Sequence, residues 1–202
     1  MRLFCRRNDD VNQGGRKMVL GLIFELIQVA AISLAIIIPV RYFLIQPFYV
    51  KGASMEPNFF DHEYLIIDEI SYRFSEPERG DIVVFRYPRD PSQFFIKRII
   101  AMPEETVEIA GGQIKIFNAD NPNGFVLPEN EYLDQVFTAT TRSVTLKADE
   151  YFVLGDNRIQ SLDSRYFGPI NRYDVVGRVW LRGWPLDRWK VFKQPAYQTV
   201  SP

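Results

Sequence analysis

The sequence predicts a mainly β protein, an antiparallel β-sheet domain preceded by one N-terminal transmembrane helix. Three observations carry that prediction. A single long apolar run lies near the N-terminus. Beyond it come short segments rich in β-branched and aromatic residues, separated by Gly, Pro and Asp. No helical period of comparable length follows residue 40.

The apolar run, residues 18–38, reads MVLGLIFELIQVAAISLAIII, with only Glu25, Gln28 and Ser33 polar. About 20 apolar residues cross a bilayer core. Arg2, Arg6, Arg7, Arg16 and Lys17 precede it and only Arg41 follows closely, which puts the N-terminus in the cytoplasm. A cleaved leader is disfavoured: the run exceeds a leader's core of ~7 to 15 residues, and IPVRYFLIQPF has no small-x-small cleavage site. Glu25 is costly in lipid unless it sits near the headgroups or meets a partner helix. The expected division is a cytoplasmic basic tail over 1–17, a single-pass anchor in the plasma membrane over 18–40, and an extracytoplasmic β-rich domain over 41–202.

Within that domain FYV, YLIID, DIVVFRY, FFIKRIIAM, TVEIA, QIKIF, YFVL and VVGRVWLRGW read as strands. Gly111-Gly112, between TVEIA and QIKIF, predicts a hairpin turn. Residues 118–149 are richer in Asn, Pro, Thr and Glu and read as an insertion or lid. YFLIQPFYV, just past the anchor, has two readings, a surface resting on lipid or strand residues packed in the core. The tail from 194 to 202 lacks periodicity and is expected to be loosely ordered.

Composition narrows the chemistry. The 202 residues carry a formal net charge of −1, so nothing suggests nucleic-acid binding through phosphate neutralisation. The single cysteine, Cys5, cannot close an intramolecular disulfide, and one cysteine with one histidine cannot build an ordinary zinc site. Cys5 is read as a plain thiol in the tail, with palmitoylation as the alternative.

Three segments hold the candidate chemistry. In VKGASMEP, Ser54 follows two small residues and precedes a proline by three, a turn whose backbone N–H groups can face a substrate. In FFIKRIIAMP, alternation puts Phe95, Lys97 and Ile99 on one face and Ile96, Arg98 and Ile100 on the other, so each face receives a cation. Either this is an edge strand with both cationic tips in water, or Lys97 is buried and its ammonium disfavoured by ~3 to 5 pKa units, enough to make a base near neutrality. A neutral amine can deprotonate a serine, the Ser-Lys variant of triad logic. The only histidine lies in Asp61-His62-Glu63, a polar turn expected to be solvated. GASME fails the nucleophile-elbow pattern because Glu56 takes the final glycine's place. The third segment, FVLGDNRIQSLDSR, is not an EF-hand loop, since Arg158 and Phe167 occupy acidic positions of that motif. It reads as a turn with local ion pairs or as a loop buttressing a site.

Taken together, the anchor, the Ser-Met segment, RGDIVVF, FIKRIIAMP and the GDNR-x-x-S-x-D-S-R loop, in that order, resemble the bacterial type I signal peptidases. These leader peptidases are Ser-Lys dyad serine proteases that cut signal peptides from exported proteins. The resemblance covers the anchor and most of residues 48–102 and 151–184. It implies a β-sheet catalytic domain, Ser54 as nucleophile and Lys97 as general base, no metal or cofactor, and preprotein signal peptides and the lipid bilayer as partners. Ser161 matches the hydroxyl that orients the lysine amine. Asp163 and Arg165 match an ion pair beneath the site, and Asp156 and Arg158 match loop supports. Val50, Met55, Phe95 and Ile96 match positions lining shallow pockets for small side chains. Gly52 stands where some relatives carry a hydroxyl, which leaves oxyanion stabilisation to the Ser54 N–H, and Ile159 and Gln160 depart from the polar residues many relatives have. Two other readings stay open: a membrane-tethered β module that binds without catalysis, and the same Ser-Lys chemistry on a specialised substrate.

Overall fold

A computed structural model describes residues 7–43, 46–134 and 137–193. Cys5, Arg2, Arg6 and the tail from 194 to 202 lie outside the described residues. The chain divides into two units, Met1–Leu44 and Ile45–Pro202.

The described residues of the first unit form one helix, α1 (Arg7–Phe43), and Met18–Ile38 within it has a mean hydropathy of 2.4, long and apolar enough to cross a membrane. The expected anchor ends at residue 40, just past Pro39. The helix instead continues three residues further, to Phe43. A proline removes one intrahelical hydrogen bond, and the flanking turns can carry the helix past it.

The second unit comprises β1 (Gln46–Tyr49), β2 (Tyr64–Asp68), β3 (Ile82–Tyr87), β4 (Asp90–Ala101), β5 (Thr106–Ala110), β6 (Gln113–Phe117), β7 (Phe125–Val126), β8 (Arg142–Thr145), β9 (Glu150–Leu154), the short helix α2 (Ser164–Phe167), β10 (Ile170–Asn171), β11 (Val175–Trp184) and β12 (Lys190–Val191). A large antiparallel sheet runs in the order β1-β2-β11-β3-β4-β9-β10, with β12 also paired to β11. A smaller sheet, β7-β6-β5-β8, is inserted between β4 and β9.

Strand composition explains the layering. The run Ile82-Val83-Val84-Phe85 is buried at every position because β3 is covered on both faces. Ile82 and Val84 join Val50, Met55, Phe59, Leu65, Ile67 and Val179 on one side, while Val83 and Phe85 join Ile99, Tyr151, Val153 and Ile170 on the other. β5 and β6 alternate instead, burying Val107, Ile109, Ile114 and Ile116 against Ile100, Phe152 and Leu154. The predicted hairpin is present: Ala110 pairs with Gln113 across Gly111 and Gly112, whose φ values of 58° and 83° are the positive pair that a tight two-residue turn requires. Residues 118–149 contribute β7 and β8 to the smaller sheet. Of YFLIQPFYV, Val50 is buried and Phe48 packs against the core, while Tyr49 stays exposed.

Candidate active site

The placement of Lys97 follows from β4 being an interior strand. β4 pairs with β3 through Val83↔Lys97 and Ile82↔Arg98, and with β9 through Arg98↔Leu154. The edge-strand reading, with both cationic tips in water, is therefore overturned. Lys97 and Arg98 are each 3% exposed.

Ser54 sits in the turn between β1 and β2. Gly52 has a φ of 91°, and its N–H donates to Asp61 Oδ1 at 2.8 Å. Glu56 N bonds to Ala53 O and Phe59 N to Met55 O, which closes the chain tightly after the serine. The turn and the strand bring Lys97 Nζ to 2.7 Å from Ser54 Oγ, and Nζ also donates to Ile96 O at 2.7 Å. No carboxylate among the described residues ion-pairs with Lys97. Burial pulls its pKa down to about 8, and the charges of Asp163 and Asp156 push it partway back.

The loop 155–165 packs on the serine turn from the other side. Asn157 N donates to Ser54 O at 3.1 Å and Asn157 Nδ2 to Ala53 O at 3.1 Å. Gly155 permits this approach: a Cβ there would meet Ser161 Oγ at 2.1 Å and Ser54 O at 2.4 Å. Asp163 binds Arg165 through both oxygens at 2.8 Å and accepts from Gly155 N at 3.1 Å, so this pair does lie within the loop. The other two charges reach outward. Asp156 is bound by Arg98 at 2.8 and 2.7 Å and by Asn58 Nδ2 at 2.8 Å. Arg158 binds Glu129 with two N–H groups and Thr138 Oγ1 at 2.8 Å. A turn held only by local ion pairs is thus excluded.

Two expectations from the resemblance need correction. Ser161 makes no hydrogen bond to Lys97: its Oγ is buried beside Gly155 without a hydrogen-bond partner. The hydrogen bonds of Nζ run to Ser54 and Ile96 instead. Met55 does not line the cleft, because its side chain packs down among Val50, Phe59 and Leu65. Val50, Phe95 and Ile96 do line it, with Leu65, Val84, Ser54 and Lys97, in a cleft of about 390 Å³. Phe95 is fixed there by stacking on Tyr87 at 4.5 Å. His62 lies outside the cleft, its side chain 74% exposed and 2.8 Å from Asp61.

Sequence reasoning missed Asn58, Glu129, Tyr132 and Thr138 altogether, and it missed that Arg98 is the partner of Asp156. No local pattern marks them. Their partners in the other site segments lie 20 to 98 residues away in the chain, beyond the reach of strand alternation or turn chemistry.

Among known proteins, the family described as "Signal peptidase, peptidase S26" matches residues 23–184. A signal peptidase I from Leptolyngbya laminosa is 35% identical over 82% of this chain and 82% of its own. Signal peptidase I P from Bacillus subtilis subsp. natto is 34% identical over 82% of this chain and 91% of its own. A crystal structure of a signal peptidase I from Enterococcus faecalis is 31% identical, covering 52% of this chain and 97% of that one, with a TM-score of 0.42.

Proposed function

This chain belongs to the signal peptidase, peptidase S26 family, and on that premise we propose that it removes N-terminal signal peptides from preproteins with Ser54 as nucleophile and Lys97 as general base. One observation carries the residue assignment: a lysine nitrogen buried away from any ion-pairing carboxylate among the described residues, 2.7 Å from a serine oxygen. A charged lysine is expensive there, so the neutral amine is within reach near neutral pH.

The chemistry follows from that pair. As Ser54 Oγ bonds to the scissile carbonyl carbon, its proton passes to Lys97 Nζ. The carbonyl oxygen becomes an oxyanion, toward which the Ser54 N–H supplies a donor. The N–H of Gly52 is not available for this, being held by Asp61. When the C–N bond breaks, the Lys97 ammonium returns its proton to the leaving amine. The neutral amine then takes a proton from water, which hydrolyses the acyl-enzyme and restores Ser54.

The cleft walls suit a substrate with small side chains next to the cut, since Val50, Val84, Leu65 and Ile96 are apolar and Phe95 narrows the space. Residues 18–38 would hold the enzyme at the membrane from which a leader emerges, raising its effective concentration. The cations preceding the run favour an N-terminus inside the cell and a peptidase domain outside. A binding module without catalysis has no use for a buried, depressed lysine.

Ser54→Ala and Lys97→Ala should each reduce cleavage of a preprotein by about 10³-fold or more, while His62→Ala leaves it unchanged. The measurement is the rate of leader release with purified, detergent-solubilised protein. Full activity in Lys97→Ala would sink the assignment.

A further inference from the structure

Tyr132 belongs to no motif and to the stretch between β7 and β8 that the resemblance leaves uncovered, yet it contacts two segments of the site directly and the third through Glu129. Its backbone carbonyl accepts from Asn58 Nδ2 at 2.9 Å, and that same amide donates to Asp156 Oδ2 at 2.8 Å. Asn58 lies in the turn that carries Ser54. The Tyr132 ring covers the Arg98 guanidinium, with 4.0 Å between the ring centroid and the guanidinium carbon. Arg98 is the strand neighbour of Lys97. The phenol hydroxyl donates to Glu129 Oε1 at 2.7 Å, and Glu129 in turn holds Arg158 of the loop that packs on the serine turn.

The residue itself is well anchored. Tyr132 N and Leu133 N bond to Glu129 O at 3.2 and 2.9 Å, and Leu133 is buried. Its ring, hydroxyl and carbonyl therefore leave from a fixed turn in three directions. The Ser54 turn, β4 and the 155–165 loop bond directly to one another, and Tyr132 backs two members of that set, Asn58 and Arg98, from outside; a nucleophile displaced by ~1 Å from its base costs about 10²-fold in rate.

Accepting the reading that Ser54 and Lys97 carry the reaction, we propose that Tyr132 is a positioning residue. With Glu129 it registers the nucleophile turn, the lysine strand and the 155–165 loop against one another. The stretch that reads in sequence as an insertion or lid is then a brace of the catalytic arrangement.

The test is steady-state cleavage of a preprotein by the full-length enzyme in detergent, normalised to folded protein by near-ultraviolet circular dichroism. Tyr132→Leu should lower kcat by about 10- to 100-fold with KM within about threefold. Its acid limb in kcat/KM should move above the value near 8 expected for Lys97, as water reaches the amine. Tyr132→Phe, which keeps ring and carbonyl, should restore kcat to within about fivefold, and Glu129→Gln should lower kcat by about 3- to 10-fold.

Wild-type kcat and pH profile in folded Tyr132→Leu would overturn the proposal. Should that variant not fold, wild-type values in Glu129→Gln would do the same. Ser54→Ala and Lys97→Ala measured alongside separate the two levels. If they remain active, the reading of the dyad fails; if they are inactive while the brace variants match wild type, only the positioning role fails.

Discussion

Lys97 and Arg98 are neighbours on one strand, equally buried, and burial has opposite consequences for them. Arg98 points to the side where Asp156 meets it with two oxygens, Gly80 O accepts from it at 3.0 Å and the Tyr132 ring covers it. Such a guanidinium keeps its charge, because fork-to-carboxylate geometry offsets much of the lost hydration. Lys97 points to the side where a serine hydroxyl and a carbonyl await it and no carboxylate among the described residues forms an ion pair. Its ammonium lacks compensation, so its pKa falls. A buried cation with a matched anion is a structural tie, and one without is, in our proposal, a base.

The same replacement at the two positions puts that contrast to its hardest test. Lys97→Met should abolish preprotein cleavage, by about 10³-fold or more, and Arg98→Met should destabilise the fold by about 3–5 kcal/mol, because Asp156 is left buried without its cation. Chemical denaturation with activity assays on both variants checks each claim. An Arg98→Met protein as stable as the parent would mean that Asp156 finds another partner and that the tie is dispensable.

A smaller effect has the opposite sign. With a pKa of about 8 in the fold and 10.5 as its ordinary value, Lys97 binds more protons in the unfolded chain between these two pH values. Its contribution to stability therefore rises with pH across that window and is a constant penalty below it. Lys97→Met should consequently stabilise the protein at pH 7 by about 1–2 kcal/mol, net of the lost bond to Ile96 O, and the gain should shrink as pH climbs from 8 to 10.5. Urea midpoints at pH 7 and pH 10 measure it. A gain that does not change with pH would point to packing instead of ionisation.

The smallest expected change is in the activity profile. kcat/KM should rise with pH through about 8 as Lys97 loses its proton, and Asp163→Asn should move that limb lower, since the Asp163 charge holds the lysine pKa up. An upward shift would contradict that electrostatic account.

Much of the architecture is legible in the sequence. The eight strands read from the sequence correspond to β1–β6, β9 and β11, because apolar alternation and β-branched content report local backbone geometry directly. Gly111-Gly112 marked its hairpin for the same reason. The short strands β7 and β8 went unread, having two and four residues and little periodicity. The helix boundary just past Pro39 was misplaced, because proline's cost is one bond and not a rule of termination. In the site, Ser54 and Lys97 were nominated by residue type and by resemblance, but neither Asn58 nor Tyr132 has a local mark.

By itself the sequence determined what local physics can dictate: an apolar segment long enough for a bilayer, the strands with their faces, a two-glycine turn, and a single histidine in a polar loop. Only tertiary structure decided which cation on β4 would meet a carboxylate, that Ser161 Oγ would lie buried without a partner, that Met55 would turn into the core, and that Glu129 and Tyr132 would reach the segments around Ser54, Lys97 and Arg158. Those outcomes depend on which faces are brought together across 29 to 98 residues of chain. Burial and pKa are properties of that assembled environment, which no single segment contains.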